Sequence, residues 1–252
     1  MSADNNYDSN YDIAFYWDPV CPFAWITSRW INQVIDQKAA AGDDNYRVDW
    51  RFISLRIVNK HIDYDSHFPA DYEEGHTAGL RMLRVAAKVR AEHGREKMGA
   101  LYTEMGGGIH DVEPDAFDKG FFGTPDHVVP MLERLDLPTD LADALYDESW
   151  DAEIENETDE ARAKTGKDVG TPIIHFGPPD GPALFGPVIS RLPSDEEAVQ
   201  LWDHVVGLAT FPSFTELKRS LRERPALRSL GVDPDQVGIV EDWHGGSRRQ
   251  KH

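Results

Sequence analysis

Asp18-Pro19-Val20-Cys21-Pro22-Phe23-Ala24-Trp25 decides how the rest of this 252-residue chain is read. The stretch joins two segments of different period. Before it, Ile13-Ala14-Phe15-Tyr16-Trp17 is an apolar run of strand length, which Asp18-Pro19 ends. After it, an apolar periodic run extends from Phe23 to about Ala40, with Trp25, Ile26, Trp30, Ile31, Val34 and Ile35 available as one packed stripe. That spacing predicts a helix. Pro22 stands where a first turn tolerates a missing N–H, which puts Cys21 at or near the N-cap. Free N–H groups and the helix dipole stabilise negative charge there. A reference thiol of pKa ~8.5 is only a few per cent ionised at neutral pH, and helix starts lower that value. A fall of about two units favours the thiolate by roughly 2.7 kcal/mol. The expectation is a reactive, mostly ionised sulfur; the competing reading is a buried, inert cysteine.

Outward from this start, Gly42-Asp43-Asp44-Asn45 is a turn, and Tyr46 to Leu55 alternates as a second strand. A parallel pair joined by a helix is implied, with a right-handed crossover. Helical patterns follow at 73–92, 95–105, 126–135, 139–150 and 151–164, with Gly106-Gly107-Gly108 expected to break the second. Such a block reads as a helical insertion, either a structural lid on the sheet or a substrate gate. Strand signals return at 171–176, and 183–185 completes a hairpin. Ser194 begins a further helix to Gly207, with Glu197 in capping-box position. Residues 214–222 suggest another helical turn or two, and 245–252 form a basic tail. The predicted class is α/β, divided as 11–60 and 167–225 for the two parts of the sheet domain, 61–166 for the insertion and 226–252 for a C-terminal extension.

Charge and composition narrow the partners. The formal charge is −19, from 45 acidic residues against 26 Lys and Arg. That field opposes nonspecific binding to nucleic acid or anionic membranes, and Arg248-Arg249-Gln250-Lys251 is too short to reverse it. No apolar run approaches the roughly 20 residues of a spanning helix, and residues 1–12 lack the features of a secretory signal. One cysteine forms no internal disulfide, so a reducing cytoplasm is the expected compartment. No metal is expected, since His61 and His67 lack a compact ligand motif and a single cysteine excludes a multi-cysteine zinc cluster. Gly106-Gly107-Gly108 lacks the setting of a phosphate loop, and no dinucleotide fingerprint occurs.

Residues 18–25 resemble the active-site start of DsbA-like thioredoxin-fold proteins. Extended through Ile26-Thr27-Ser28-Arg29-Trp30, and with Leu101-Tyr102-Thr103, Ile109-His110 and Val169-Gly170-Thr171-Pro172, the chain resembles the actinobacterial mycothiol-dependent nitroreductases. The likeness spans about residues 13–210. It implies a thioredoxin-like, DsbA-like fold with a large all-helical insertion. It also implies that Pro172 is a cis-proline beside Cys21 and that Thr171 presents backbone groups to a bound thiol. By the resemblance, redox-active relatives often carry a second cysteine three residues after the first; here that position is Ala24.

The leading expectation is therefore an intracellular monothiol oxidoreductase. Cys21 would act on a small-molecule or protein disulfide, and a low-molecular-weight thiol would reset it, mycothiol by the resemblance. No tightly bound cofactor is expected. Pro22, Phe23, Trp17, Asn59, Tyr102 and His110 are the further candidates for contact with the thiol or a small hydrophobic substrate, Asn59 from a strand end. Arg29 and Arg56 are weaker candidates for an anionic group. Two alternatives stay open: a transferase or isomerase using a bound thiol, and a non-catalytic binding or chaperone module.

Overall fold

The computed structural model describes residues 11–43, 46–69, 71–166, 169–217, 221–232 and 240–242. Strand β1 (Ile13–Trp17) is wholly buried, as its unbroken apolar run requires. Helix α1 (Pro22–Ala40) carries the chain back to β2 (Val48–Phe52), which lies parallel to β1 with Phe15 opposite Trp50. The second strand is shorter than the alternation at 46–55 predicts, because Ser54 caps a new helix and takes the chain out of the sheet. That helix, α2 (Leu55–Val58), is followed by α3 (Tyr64–His67), α4 (Tyr72–His93), α5 (Met98–His110), α6 (Pro125–Arg134) and α7 (Asp151–Thr165). Among the described residues, every element between β2 and the next strand is helical. Strands β3 (Ile173–Phe176) and β4 (Ala183–Phe185) complete a sheet of order β2-β1-β3-β4, and α8 (Asp195–Ala209) packs on α1.

Three expectations are corrected here. Helix α5 passes through Gly106-Gly107-Gly108 without a break. A Cβ at Gly106 would stand 2.2 Å from Cε3 of Trp25, so a residue without a side chain is what lets α5 close on α1. Residues 139–146 form a 3-10 helix rather than an α-helix. Of the helical turns expected at 214–222, residues 214–217 are irregular. Leu221–Glu223 is instead a strand, β5, paired antiparallel with β6 (Val240–Asp242). The basic tail at 245–252 lies outside the described residues. At Ser194 the capping box is formed, with Glu197 accepting from the Ser194 N–H at 3.2 Å.

The faces of β1 serve two cores. Ile13, Phe15 and Trp17 join α1, α4 and α5 in the main apolar cluster, whereas Ala14 and Tyr16 meet Ile53, Ala161 and Ile173 under α7. Burial of this kind is the main source of stability. Helix α7 also satisfies the edge of β2. The Phe52 N–H donates to Glu157 Oε2 at 2.8 Å, and Arg51 and Arg90 pair with the same carboxylate at 3.0 and 3.1 Å. No helix among the described residues is long and apolar enough to cross a membrane.

Candidate active site

The chain reverses at the C-terminal end of β1, and Asp18 holds the reversal. Its backbone oxygen accepts from the Cys21 N–H at 3.1 Å. Its carboxylate accepts from the Val20 N–H at 3.0 Å and from the Leu55 N–H at 2.7 Å, tying the loop to the start of α2. Helix α4 closes over the loop at Gly79, where a Cβ would lie 2.6 Å from Asp18 Oδ1. Asp18 is fully buried, and burial pushes its carboxyl up to about 7 against the two N–H donors that favour charge.

Cys21 is the N-cap of α1, as the sequence predicts, with extended backbone angles (φ −84°, ψ 112°). Its Sγ accepts from the Ala24 N–H at 3.4 Å. The same thiol lies 3.5 Å from the carbonyl oxygen of Thr171, to which it donates. The Thr171–Pro172 bond is cis, and Thr171 Oγ1 donates to the Tyr16 carbonyl at 2.8 Å, which fixes this loop on the sheet. The expected mostly ionised sulfur is not found in this state. Cys21 is 5% exposed, and burial pushes the thiol up to about 12. The Ala24 and Phe23 N–H groups oppose that shift, and the nearby Asp18 adds to it.

A cavity of about 480 Å³ opens beside this loop pair. Phe23, Gly170 and Thr171 form its wall on the Cys21 side. Leu55, Val58, Asn59 and Ile62 line it from α2 and the following turn, and Phe68, Tyr72 and His76 from the approach to α4 and its first turns. Phe23, Asn59 and Thr171 are thus brought together, with Pro22 as the first residue of α1 between Cys21 and Phe23. Asn59 comes from the C-cap of a helix rather than a strand end, and its Nδ2 donates to the Leu55 carbonyl at 2.8 Å.

Other candidates lie elsewhere. Trp17 and Tyr102 are fully buried, stacked on each other at 4.3 Å, and do not line the cavity. His110 is 3% exposed; its Nε2–H donates to the Pro19 carbonyl at 2.9 Å, and its ring stacks on Trp25. Burial pushes this imidazole down to about 4, so it is neutral and steadies the loop from behind. Arg29 lies over Trp25 at 4.0 Å, and Arg56 pairs with Glu73 at 2.8 Å. Asp18, Tyr64, Phe68, Tyr72 and His76 were missed by the sequence reading. The four-residue step from Tyr72 to His76, which puts both on one face of α4, is the signal that could have found the last two. Among the described residues, no group of three or more His, Cys, Asp or Glu could hold a metal ion.

A thiol at a helix start, beside the carbonyl that precedes a cis-proline, is the arrangement expected of a thioredoxin-like site. Residues 20–219 match the family described as Rv2466c-like, mycothiol-dependent nitroreductase Rv2466c. The chain belongs to that family. It is accordingly a thiol-dependent oxidoreductase, with a mixed β2-β1-β3-β4 sheet and a thioredoxin-like arrangement of helix-start cysteine and cis-proline. The uncharacterized protein Rv2286c of Mycobacterium tuberculosis is 28% identical over 213 residues, covering 82% of this chain and 81% of the relative. Two solved structures are similar at lower identity. One is a variant of alpha-DsbA1 from Wolbachia pipientis, with 13% identity, TM-score 0.45, and 81% and 88% of the two chains covered. The other is a thioredoxin-like oxidoreductase from Silicibacter pomeroyi DSS-3, with 16% identity, TM-score 0.41, and 79% and 88% covered. In this Rv2466c-like chain the residue three places after Cys21 is Ala24, whose N–H meets Cys21 Sγ at 3.4 Å.

Proposed function

We propose that this protein is a monothiol oxidoreductase that exchanges disulfides through Cys21 and is reset by an external low-molecular-weight thiol. The placement of Cys21 Sγ between the Ala24 N–H and the Thr171 carbonyl carries this reading. In the forward step Cys21 gives its proton to solvent water, and Sγ attacks one sulfur of a substrate disulfide. A Cys21–substrate disulfide forms, and the other substrate sulfur departs as a thiolate. An external thiolate then attacks the substrate sulfur of that mixed disulfide, forming a new disulfide and returning Cys21 as thiolate. With Ala24 in place and one cysteine in the chain, there is no internal thiol to perform this second step.

The family supports mycothiol as the resetting thiol, and a thiol-rich cytoplasm is the compartment that suits it. Phe23, Asn59 and Thr171 are the groups we assign to ligand contact, from their positions on the cavity, and the cis bond to Pro172 holds Thr171 in place. Pro22 fixes the helix start, and Trp17, Tyr102 and His110 steady these groups from behind.

A second reading is favoured by one observation, the thiol pushed up to about 12. Such a sulfur is protonated when the site is empty, so a bound external thiol could be the nucleophile of a transferase or isomerase reaction, with the start of α1 stabilising its charge. Intact-mass measurement after incubation with oxidised mycothiol separates the two. The first reading expects one adduct on Cys21, reversed by excess thiol and absent from Cys21→Ser. No adduct, together with thiol-dependent turnover retained in Cys21→Ser, would move the assignment to the second.

A further inference from the structure

The cavity beside Cys21 is largely apolar, but one imidazole in its wall is held in a defined state. His76 lines the cavity from α4 and is 8% exposed. Its Nδ1 lies 2.9 Å from the hydroxyl of Tyr64, itself 7% exposed, on α3. Phe68, Tyr64 and Tyr72 surround the ring at centroid distances of 5.6–5.7 Å, so its plane is fixed by packing as well as by the hydrogen bond. Nε2 has no hydrogen-bond partner among the described residues.

The groups facing His76 keep it uncharged. Burial is the main cause, the Arg56 and Lys119 cations add to it, and the imidazole is pushed down to about 4. Glu73 is engaged with Arg56, and Tyr64 and Tyr72, both pushed up by burial, are neutral. Arg56 sits over the Tyr64 ring at 5.1 Å and offers only donors, so the phenolic proton has Nδ1 as its acceptor. A neutral imidazole that accepts at Nδ1 carries its proton on Nε2.

We propose that His76 is the specificity-determining donor of this cavity. Its Nε2–H, set by Tyr64, receives the acceptor oxygen of a planar, uncharged aromatic ligand packed against Phe68, Tyr72 and Phe23. This rests on the reading of the Cys21 site and deepens it by naming the chemistry of what the adjoining cavity, walled by Phe23 and Thr171, takes up. A charged ligand is disfavoured by the apolar walls, and a pure hydrocarbon leaves the Nε2–H desolvated without a partner.

Equilibrium dialysis of the full chain against 1-indanone and indane tests this without involving the thiol. Wild type should prefer the ketone by about tenfold, the worth of one well-made hydrogen bond in a dry site. His76→Phe should abolish that preference while still binding indane, and His76→Gln, which keeps an N–H donor, should restore part of it. Tyr64→Phe removes only a hydroxyl and should reduce the preference by freeing the tautomer, which keeps the inference testable if His76→Phe fails to fold. No preference in wild type, no binding of either probe, or a preference unchanged in Tyr64→Phe or in a folded His76→Phe would overturn it. A Cys21 adduct with oxidised mycothiol but no ketone preference defeats this inference alone. The preference without the adduct defeats the monothiol reading instead.

Discussion

The N–H groups of Phe23 and Ala24 favour charge on Cys21 Sγ, but the sulfur is 5% exposed and Asp18 lies close behind it. Burial outweighs the helix start, and the thiol stands at about 12. Well below that value the thiolate fraction rises tenfold for each pH unit, so alkylation by iodoacetamide should accelerate about tenfold per unit between pH 7 and 10. A rate that levels off near pH 7–8, read by intact mass against time, would show instead that the helix start prevails. The position of Cys21 was legible because an N-cap is local: Pro22 and the apolar stripe that follows define it within one helix. The state of its proton was not legible. That depends first on how deeply the folded chain buries the sulfur, and then on Asp18, over which Gly79 of α4 closes; no pattern around residue 21 encodes either. Trp17 shows the same limit, since flanking the loop in sequence did not bring it to the cavity.

At the scale of elements, three consecutive glycines read as a break, because each lowers helix propensity by about 1 kcal/mol. Helix α5 persists through them because Trp25 of α1 packs where a Gly106 side chain would be, whereas at Gly107 the nearest atom to a Cβ is 3.7 Å away. The two neighbours should therefore respond with opposite sign. Gly106→Ala drives a methyl into the Trp25 ring and should cost about 1–3 kcal/mol by overpacking. Gly107→Ala meets ordinary contact distances and should gain about 0.5–1 kcal/mol from helix propensity. Urea unfolding of the two variants decides it; equal losses would mean that the glycines serve flexibility rather than close approach. Elements that announce themselves locally were legible, such as β1, α1 and the Ser194 capping box. Elements set by a distant partner were not. Asn59 was expected at a strand end, but Ser54 caps α2, whose Leu55 N–H is taken by Asp18, and so places Asn59 on a helix end.

Across the whole molecule, buried histidines couple the fold to pH. His76, His110, His127 and His175 are at most 8% exposed, and burial lowers each from 6.5 to about 4. Between those values the unfolded chain holds protons that the folded chain refuses, so these four groups remove stability as pH falls from about 6.5 to 4. Asp18 works against them. Its carboxyl is raised from 3.8 to about 7, so the folded chain binds the proton first, and this one group adds stability as pH falls through the same window. Four imidazoles outweigh one carboxyl, and the urea midpoint should drop between pH 6.5 and 4.5. His175→Gln, at a site where Nε2 meets the Gly181 carbonyl at 3.0 Å, should make the drop shallower. Asp18→Asn should make it steeper, because the opposing proton is gone, even though its absolute stability also falls with the loss of one acceptor for the Val20 or Leu55 N–H. A midpoint that stays level or rises on acidification, or a slope that Asp18→Asn leaves unchanged, would mean that these buried groups change protonation together with the surrounding structure rather than against it.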